Sequence, residues 1–402
     1  MTSYVATSRN IKYNARMEKK RNYLTGIIVK LIFIVPLIIF LVLLLVLKKD
    51  PTFCENWTRW EARVYQSSVG LLFKWVPFSL TEVLALILII CLIVDIVRII
   101  RSLVHLKPTR ALSIFLSIAF VSLLIVTLYQ ATAEMAYNRE QHPVTVYEEK
   151  VEKTEFRKIN DYFIEDCNKV TEEMQFEEDG NLVCPYSISE MNDLLEAEFA
   201  RLQEEYGDYF TPFTTRVKPM STSFIYRELH ITGVTFMPTT EANVNYLNVN
   251  ALKPITAAHE ILHTKGVMKE EDADFIALYL MLTSKNSYFR YSGYYFSLSS
   301  LNYLASLTGV PTDYAEVMNS LNANYKANRA FGSRYWKEHN AFADFGNWVN
   351  DIYLKLSGEK EGTASYNDTP TDVDEETEEV ITFSLYQKLY FRLYYEANPQ
   401  VE

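Results

Sequence analysis

The sequence predicts three transmembrane α-helices followed by a mainly α, α+β outer domain with a small β-sheet. Long uncharged apolar runs are confined to the first third of the chain, the sign of the charge reverses near residue 130, and helical periodicity afterwards breaks at one short β-branched stretch. Residues 1–130 hold 16 Lys/Arg against 6 Asp/Glu, residues 131–402 hold 23 against 44, and the whole chain carries −11. For 402 residues two or three domains are expected. The division predicted here is a membrane domain, 1–130, and an outer domain, 131–402. The acidic balance of the larger part excludes a nucleic-acid partner, which needs a basic footprint. Four cysteines exclude a disulfide scaffold and a Cys-rich zinc ribbon.

The first span is predicted over about 24–47. Leu31 to Leu47 contains no charge and Gly26 to Val29 extend the run past Lys30, giving the roughly 20 residues that cross a bilayer. Lys30, about one turn in, is expected to snorkel to the headgroups, and Pro36 to kink the helix. The second span, 77–100, is interrupted by Glu82 and Asp95, and Asp95 is placed to pair with Arg98 three residues on. The third, 111–133, has no charge at all.

Arg9, Lys12, Arg16, Lys19, Lys20 and Arg21 precede span one, and Arg98, Arg101, Lys107 and Arg110 cluster around the loop between spans two and three. The positive-inside rule makes both segments cytoplasmic, and three spans then put the outer domain outside the cell membrane. The first run is too long for a cleaved signal peptide and reads as a signal anchor. The loop Lys48 to Val76 carries Trp57, Trp60, Tyr65, Leu71, Leu72 and Trp75. Two placements fit it: an amphipathic helix on the outer leaflet, or a segment packed under the outer domain.

In the outer domain, Thr145 to Gln175 and Ser187 to Tyr206 read as helices, the latter opened by capping residues. Ser223 to Tyr226 and Ile231 to Met237 are β-branched and aromatic and read as a hairpin or two edge strands. The chain is helical again after Pro254. Ser357 to Glu376 reads as a loop and Thr377 to Glu396 as a closing helix. Cys167 and Cys184 are placed where a disulfide could persist, and pairing and free thiols are both open. Cys91, within a span, is assigned to packing.

The chemistry is concentrated in Pro254 to Phe275. His259-Glu260-Ile261-Leu262-His263 is an HExxH pattern. On a helix the two His lie one turn apart on one face and can share one Zn²⁺, while Glu260 serves as general base. Pro254 can open that helix and Gly266 can close it. A third ligand is needed, and Glu270, Glu271 and Asp272 follow the turn; the ordinary role of such acids is to stabilise a helix N-terminus.

Glu270-x-x-Ala273-Asp274 resembles the ExxAD element of gluzincin metallopeptidases. The resemblance implies that Glu270 is the third zinc ligand and that Asp274 orients a ligand His. The six residues between His263 and Glu270 are fewer than in many gluzincins, which keeps Asp272 and Glu271 open as ligands. The chain also resembles an uncharacterised bacterial DUF family of membrane-anchored HExxH proteins, with three N-terminal spans and a gluzincin-like domain. The matching pieces are Val76-Pro77-Phe78-Ser79-Leu80, Tyr137-Asn138-Arg139, Glu241-Ala242-Asn243-Val244-Asn245, the motif block, Tyr353-Leu354-Lys355, and Gly362 to Tyr366. That family commonly reads HELAH, a Gly turn and REDEANF, so Asp272 and Asp274 here stand where it has Glu and Asn.

Ile231 to Met237 is the candidate edge strand for laying down an extended peptide, with a plain core hairpin as the other reading. His230, Tyr291 and Tyr366 are candidate donors to an oxyanion. The expectation is therefore a zincin-like domain held at the outer face of the lipid bilayer: a zinc metalloendopeptidase hydrolysing an unknown peptide or protein substrate. The alternative is a zinc-stabilised, catalytically inactive envelope sensor or scaffold. Glu260 argues against it, because a structural site has no need of a carboxylate between its two His.

Overall fold

The computed structural model describes residues 2–140, 142, 144, 151–211, 213–357, 371–373 and 380–399. Among the described residues three helices are long and apolar enough to cross a membrane: Arg21–Leu47, Leu80–Val104 and Pro108–Tyr137. The first belongs to a continuous helix, Thr2–Leu47, that runs through Pro36. Lys30 Nζ donates to the Ser113 carbonyl (2.5 Å) and hydroxyl (3.0 Å), near the start of span three, tying span one to span three. Asp95 and Arg98 pair at 2.8 Å as expected. Cys91 is exposed on the second span rather than packed.

The second span begins at Leu80, three residues later than expected, because its first turn is capped from both directions. Ser79 Oγ accepts the Glu82 amide (3.2 Å), and the Glu241 carboxylate, far along the chain, accepts those of Leu80 (3.0 Å) and Thr81 (2.7 Å). Negative groups at a helix N-terminus satisfy otherwise orphaned N–H groups and the helix dipole together.

The loop between spans one and two forms a helical shelf. Pro51–Glu61, N-capped by Asp50, continues through π-helical turns at Ala62–Gly70 into Leu71–Phe73. One face packs under the C-terminal part: Glu55 accepts from Arg139 Nε (2.8 Å) and Nη2 (2.9 Å), and Tyr65 donates to the Pro238 carbonyl (2.5 Å). The other face leaves Trp60, Leu71, Leu72 and Trp75 exposed. Of the two placements open from the sequence, the packed one is present here, with these apolar side chains left on the side away from it.

Beyond residue 150 the chain is mostly helical. Phe156–Glu172 and Ile188–Tyr206 lie within the expected regions, and a Ser187/Glu190 capping box starts the second. The expected strand at Ser223 to Tyr226 is instead the short helix Ser223–Glu228. The Glu82 carboxylate takes the amides of Ser221 (2.7 Å) and Thr222 (3.0 Å) just ahead of it, and this tertiary anchor outweighs the β-propensity of the side chains.

The sheet has the order β1-β3-β2, with β1 Lys218–Pro219, β2 Gly233–Phe236 and β3 Glu241–Val244. Strand β2 falls inside the expected Ile231 to Met237. Its antiparallel partner is β3, in the register Gly233↔Val244 through Phe236↔Glu241, so β2 forms one edge of the sheet.

The motif helix, Lys253–Thr264, has Pro254 in its first turn and ends before Gly266, whose φ is +83°. The acidic helix, Glu270–Leu282, packs on it, and Ser287–Tyr303 packs on both. Ile255, Ala258, Ile261 and Leu262 from the first meet Phe275, Ile276 and Leu280 from the second in one continuous core. Asp313–Ser320, Ala323–Glu338 and Ala343–Ser357 follow. Of the loop expected at Ser357 to Glu376, residues 358–370 and 374–376 lie outside the described residues, and Thr371–Val373 pairs antiparallel with Val380–Thr382. The closing helix is Leu385–Ala397; it starts later than expected because Ser384 and Gln387 form its capping box. Cys167 and Cys184 are free thiols, so the open disulfide does not form. The Cys184 sulfur accepts from Tyr288 Oη.

Candidate metal centre

The motif helix sets the His259 and His263 rings 4.6 Å apart, nearly perpendicular at 86°. Because the turn through Gly266 is short, the acidic helix begins against them, and its first residue, Glu270, faces both rings. Glu270 Oε2 is 3.1 Å from His259 Nε2 and 3.6 Å from His263 Nε2. One donor atom from each residue fits within a 4.8 Å cluster. Glu271 and Asp272 occupy the same first turn, but among the described residues the cluster closes through Glu270.

The far side of each ring decides its tautomer. His263 Nδ1 is 2.8 Å from the Val267 carbonyl, which can only accept, so Nδ1 carries the proton. His259 Nδ1 meets Asp274 Oδ1 at 2.7 Å, and Asp274 Oδ2 accepts from Tyr386 Oη at 2.8 Å. In the neutral imidazoles both Nε2 lone pairs are thereby aimed at an ionised carboxylate, and three electron-rich atoms converge. Such a cluster is stable only with positive charge among them, supplied by protons or by a metal ion. The separations of 3.1 and 3.6 Å bracket the ~3.3 Å edge of a tetrahedron whose ligands lie ~2.0–2.1 Å from its centre.

The electrostatics follow from this convergence. Burial pushes the Glu270 carboxyl up, but His263 and His259 outweigh it and hold it well below the usual carboxylate range. Burial lowers both imidazoles, and facing carboxylates reverse this: chiefly Asp274, then Glu270, for His259, and Glu270 for His263. Burial raises Glu260, with partial opposition from His259, His263 and Thr235.

Glu260 points to the sheet side of the motif helix. Thr235 Oγ1 lies 2.7 Å from its Oε2 and 2.8 Å from its carbonyl oxygen. Gly233, two residues earlier on the same face of β2, leaves the space the carboxylate occupies: a Cβ there would stand 2.4 Å from Glu260 Oε1. A further contact steadies the turn that holds His263. Arg139, just after the third span, donates to the Gly266 carbonyl at 3.0 Å while its other nitrogens hold Glu55.

The other candidate donors are elsewhere. Tyr291 is fully buried in the core and donates to Asn328 Oδ1 at 2.9 Å. His230 packs on Trp336 with its Nε2 2.8 Å from the His339 carbonyl. Tyr366 lies outside the described residues. Sequence reasoning missed Thr235, Gly233 and Tyr386. The period-2 alternation of β2 could have paired the first two, whereas nothing local distinguishes Tyr386 among 28 tyrosines.

A family model described as "Protein of unknown function (DUF3810)" matches residues 62–371, and the chain belongs to that family. No curated protein matches it. No solved structure matches it.

Proposed function

We propose that this member of the DUF3810 family is a membrane-anchored zinc metallopeptidase with a gluzincin-like site on a zincin-like domain. The observation that carries the reading is the convergence of His259 Nε2, His263 Nε2 and Glu270 Oε2, with each ring's Nδ1 committed to an acceptor behind it. Backing partners of this kind are what metal-ligating histidines require, and three protein ligands leave the fourth tetrahedral position for reaction. Zinc held there supplies Lewis-acid polarisation of a carbonyl and of water.

The remaining steps belong to the chain. Glu260, its carboxyl raised by burial, takes the proton of the attacking water and passes it to the leaving amine. Thr235 holds the second Glu260 oxygen, which fixes the direction of the base. The edge of β2, on the strand that carries Thr235, receives an extended peptide by strand addition. The basic loops support an N-terminus in the cytoplasm and a site at the outer face of the cell membrane.

The test uses the full chain in detergent or nanodiscs. One zinc per chain is expected in wild type, and Glu260→Gln should keep the zinc while losing peptide hydrolysis by several orders of magnitude. Wild-type protein without zinc, or Glu260→Gln with undiminished hydrolysis, defeats the reading. External protease on intact cells should reach the domain beyond span three.

A further inference from the structure

A strongly apolar surface lies outside the three spans. On the helix Ala343–Ser357, Phe345, Trp348, Val349 and Ile352 stand at i, i+3, i+4 and i+7 and therefore share one face. All four are exposed, Phe345 by 56% and Trp348 by 58%, and Phe342 extends the face one turn back at 59%. The opposite side is seated on the protein: Leu354 is fully buried, and a Cβ at Gly346 would come within 2.2 Å of the Leu229 carbonyl. A water-soluble surface does not normally carry such a row.

The level of this face relative to lipid can be traced bond by bond. Glu82 is in the first turn of the second span, where the apolar run begins, and it accepts the amides of Ser221 and Thr222. The helix Ser223–Glu228 therefore lies beside the root of that span, and it exposes Phe224 and Ile225. Phe342 N donates to the Glu228 carbonyl at 3.0 Å, and Gly346 abuts Leu229, so the Ala343–Ser357 helix continues directly from that level. The exposed aromatic face is thus linked, through the Ser223–Glu228 helix and its exposed Phe224 and Ile225, to the root of the second span.

We propose that the Ala343–Ser357 helix is a second membrane contact, lying in the headgroup and upper acyl region with Phe345, Trp348, Val349 and Ile352 in lipid. Trp and Phe suit that boundary, where an apolar body and a polar rim are both satisfied. Asp344, Asp351 and Lys355 lie off the apolar arc, and Lys355 and Asp351 pair at 2.8 Å. The bilayer, rather than a second copy, is the occupant, because the contact path to the span root, with Phe224 and Ile225 exposed along it, holds this face beside the same membrane in every molecule. This contact is independent of the metal centre.

The full chain is reconstituted into vesicles of plain or brominated phosphatidylcholine, and tryptophan emission is compared between wild type and Trp348→Phe. The Trp348 component, taken as the difference, should fall at least twofold in brominated lipid, and the fall should not depend on protein-to-lipid ratio. A Trp348 component equal in both lipids overturns the proposal. So does quenching lost on dilution together with disulfide dimers of a Phe345→Cys variant, which would make a second copy the occupant. Zinc content reads the metal centre separately and should be equal in all these proteins.

Discussion

Asp274 offers the sharpest test of how the cluster is held. Its Oδ1 accepts from His259 Nδ1 at 2.7 Å and its Oδ2 from Tyr386 at 2.8 Å, so the carboxylate both charges and orients the ring. In Asp274→Asn the amide oxygen can still accept from Nδ1, but the acceptor becomes neutral. A hydrogen bond to a charged group contributes about 1.5–3 kcal/mol and a neutral one about 0.5–1.5. The difference of ~1 kcal/mol corresponds to zinc binding roughly fivefold weaker. Asp274→Ala removes the acceptor altogether and frees the ring to rotate or to move its proton to Nε2, which abolishes the lone pair. A loss of about 1.5–3 kcal/mol predicts ~10- to 150-fold weaker zinc, in line with the 10–100-fold typical of such backing partners. Competition against a chromogenic chelator, with the detergent-solubilised full chain near neutral pH, measures both. An Ala variant that binds zinc as tightly as wild type refutes the orienting role. Equal losses in Asn and Ala refute the division between charge and geometry.

Two further perturbations probe the neighbourhood. Gly233→Ala places a methyl group 2.4 Å from Glu260 Oε1, a contact relieved only by swinging the carboxylate away; hydrolysis should fall at least about tenfold with zinc content unchanged, and unchanged kinetics would show that Glu260 does not need this position. Glu61 is buried in the shelf, accepts from Gln66 Nε2 at 2.7 Å, and is pushed by burial to about 8. Its folded pKa lies above its unfolded one, so its contribution to stability is full below ~4.5 and is lost as pH rises through 8. Glu61→Gln should therefore melt close to wild type at pH 5 and be more stable at pH 9 by on the order of 3–5 kcal/mol. An equal gap at both pH values would mean that the carboxyl is not held neutral.

How much was legible beforehand follows the range of each interaction. The apolar spans could be read because the length of an uncharged run is a local property and lipid imposes one answer on it. The helix at Ile188–Tyr206 could be read because Ser187 and Glu190 satisfy their own backbone within one turn. The two His of the motif share a face through helical spacing alone. The boundaries that moved are those set from a distance: the second span starts where Glu241 reaches it, and Ser223–Glu228 is a helix beside Glu82 although its side chains favour a strand.

The sequence by itself therefore determined the apolar helices, the pairing of His259 with His263 and the turn that brings acids next to them, all consequences of spacing along one chain. Only the tertiary structure decided which of three consecutive acids meets both imidazoles, since that depends on where the acidic helix lands against the motif helix. It also decided the partners that set proton positions, Val267 for His263 and Asp274 with Tyr386 for His259. Tyr386 and Asp274 are 112 residues apart. A hydrogen bond between residues so distant leaves no trace in local pattern, because its energy depends on angles and distances that only the assembled core supplies.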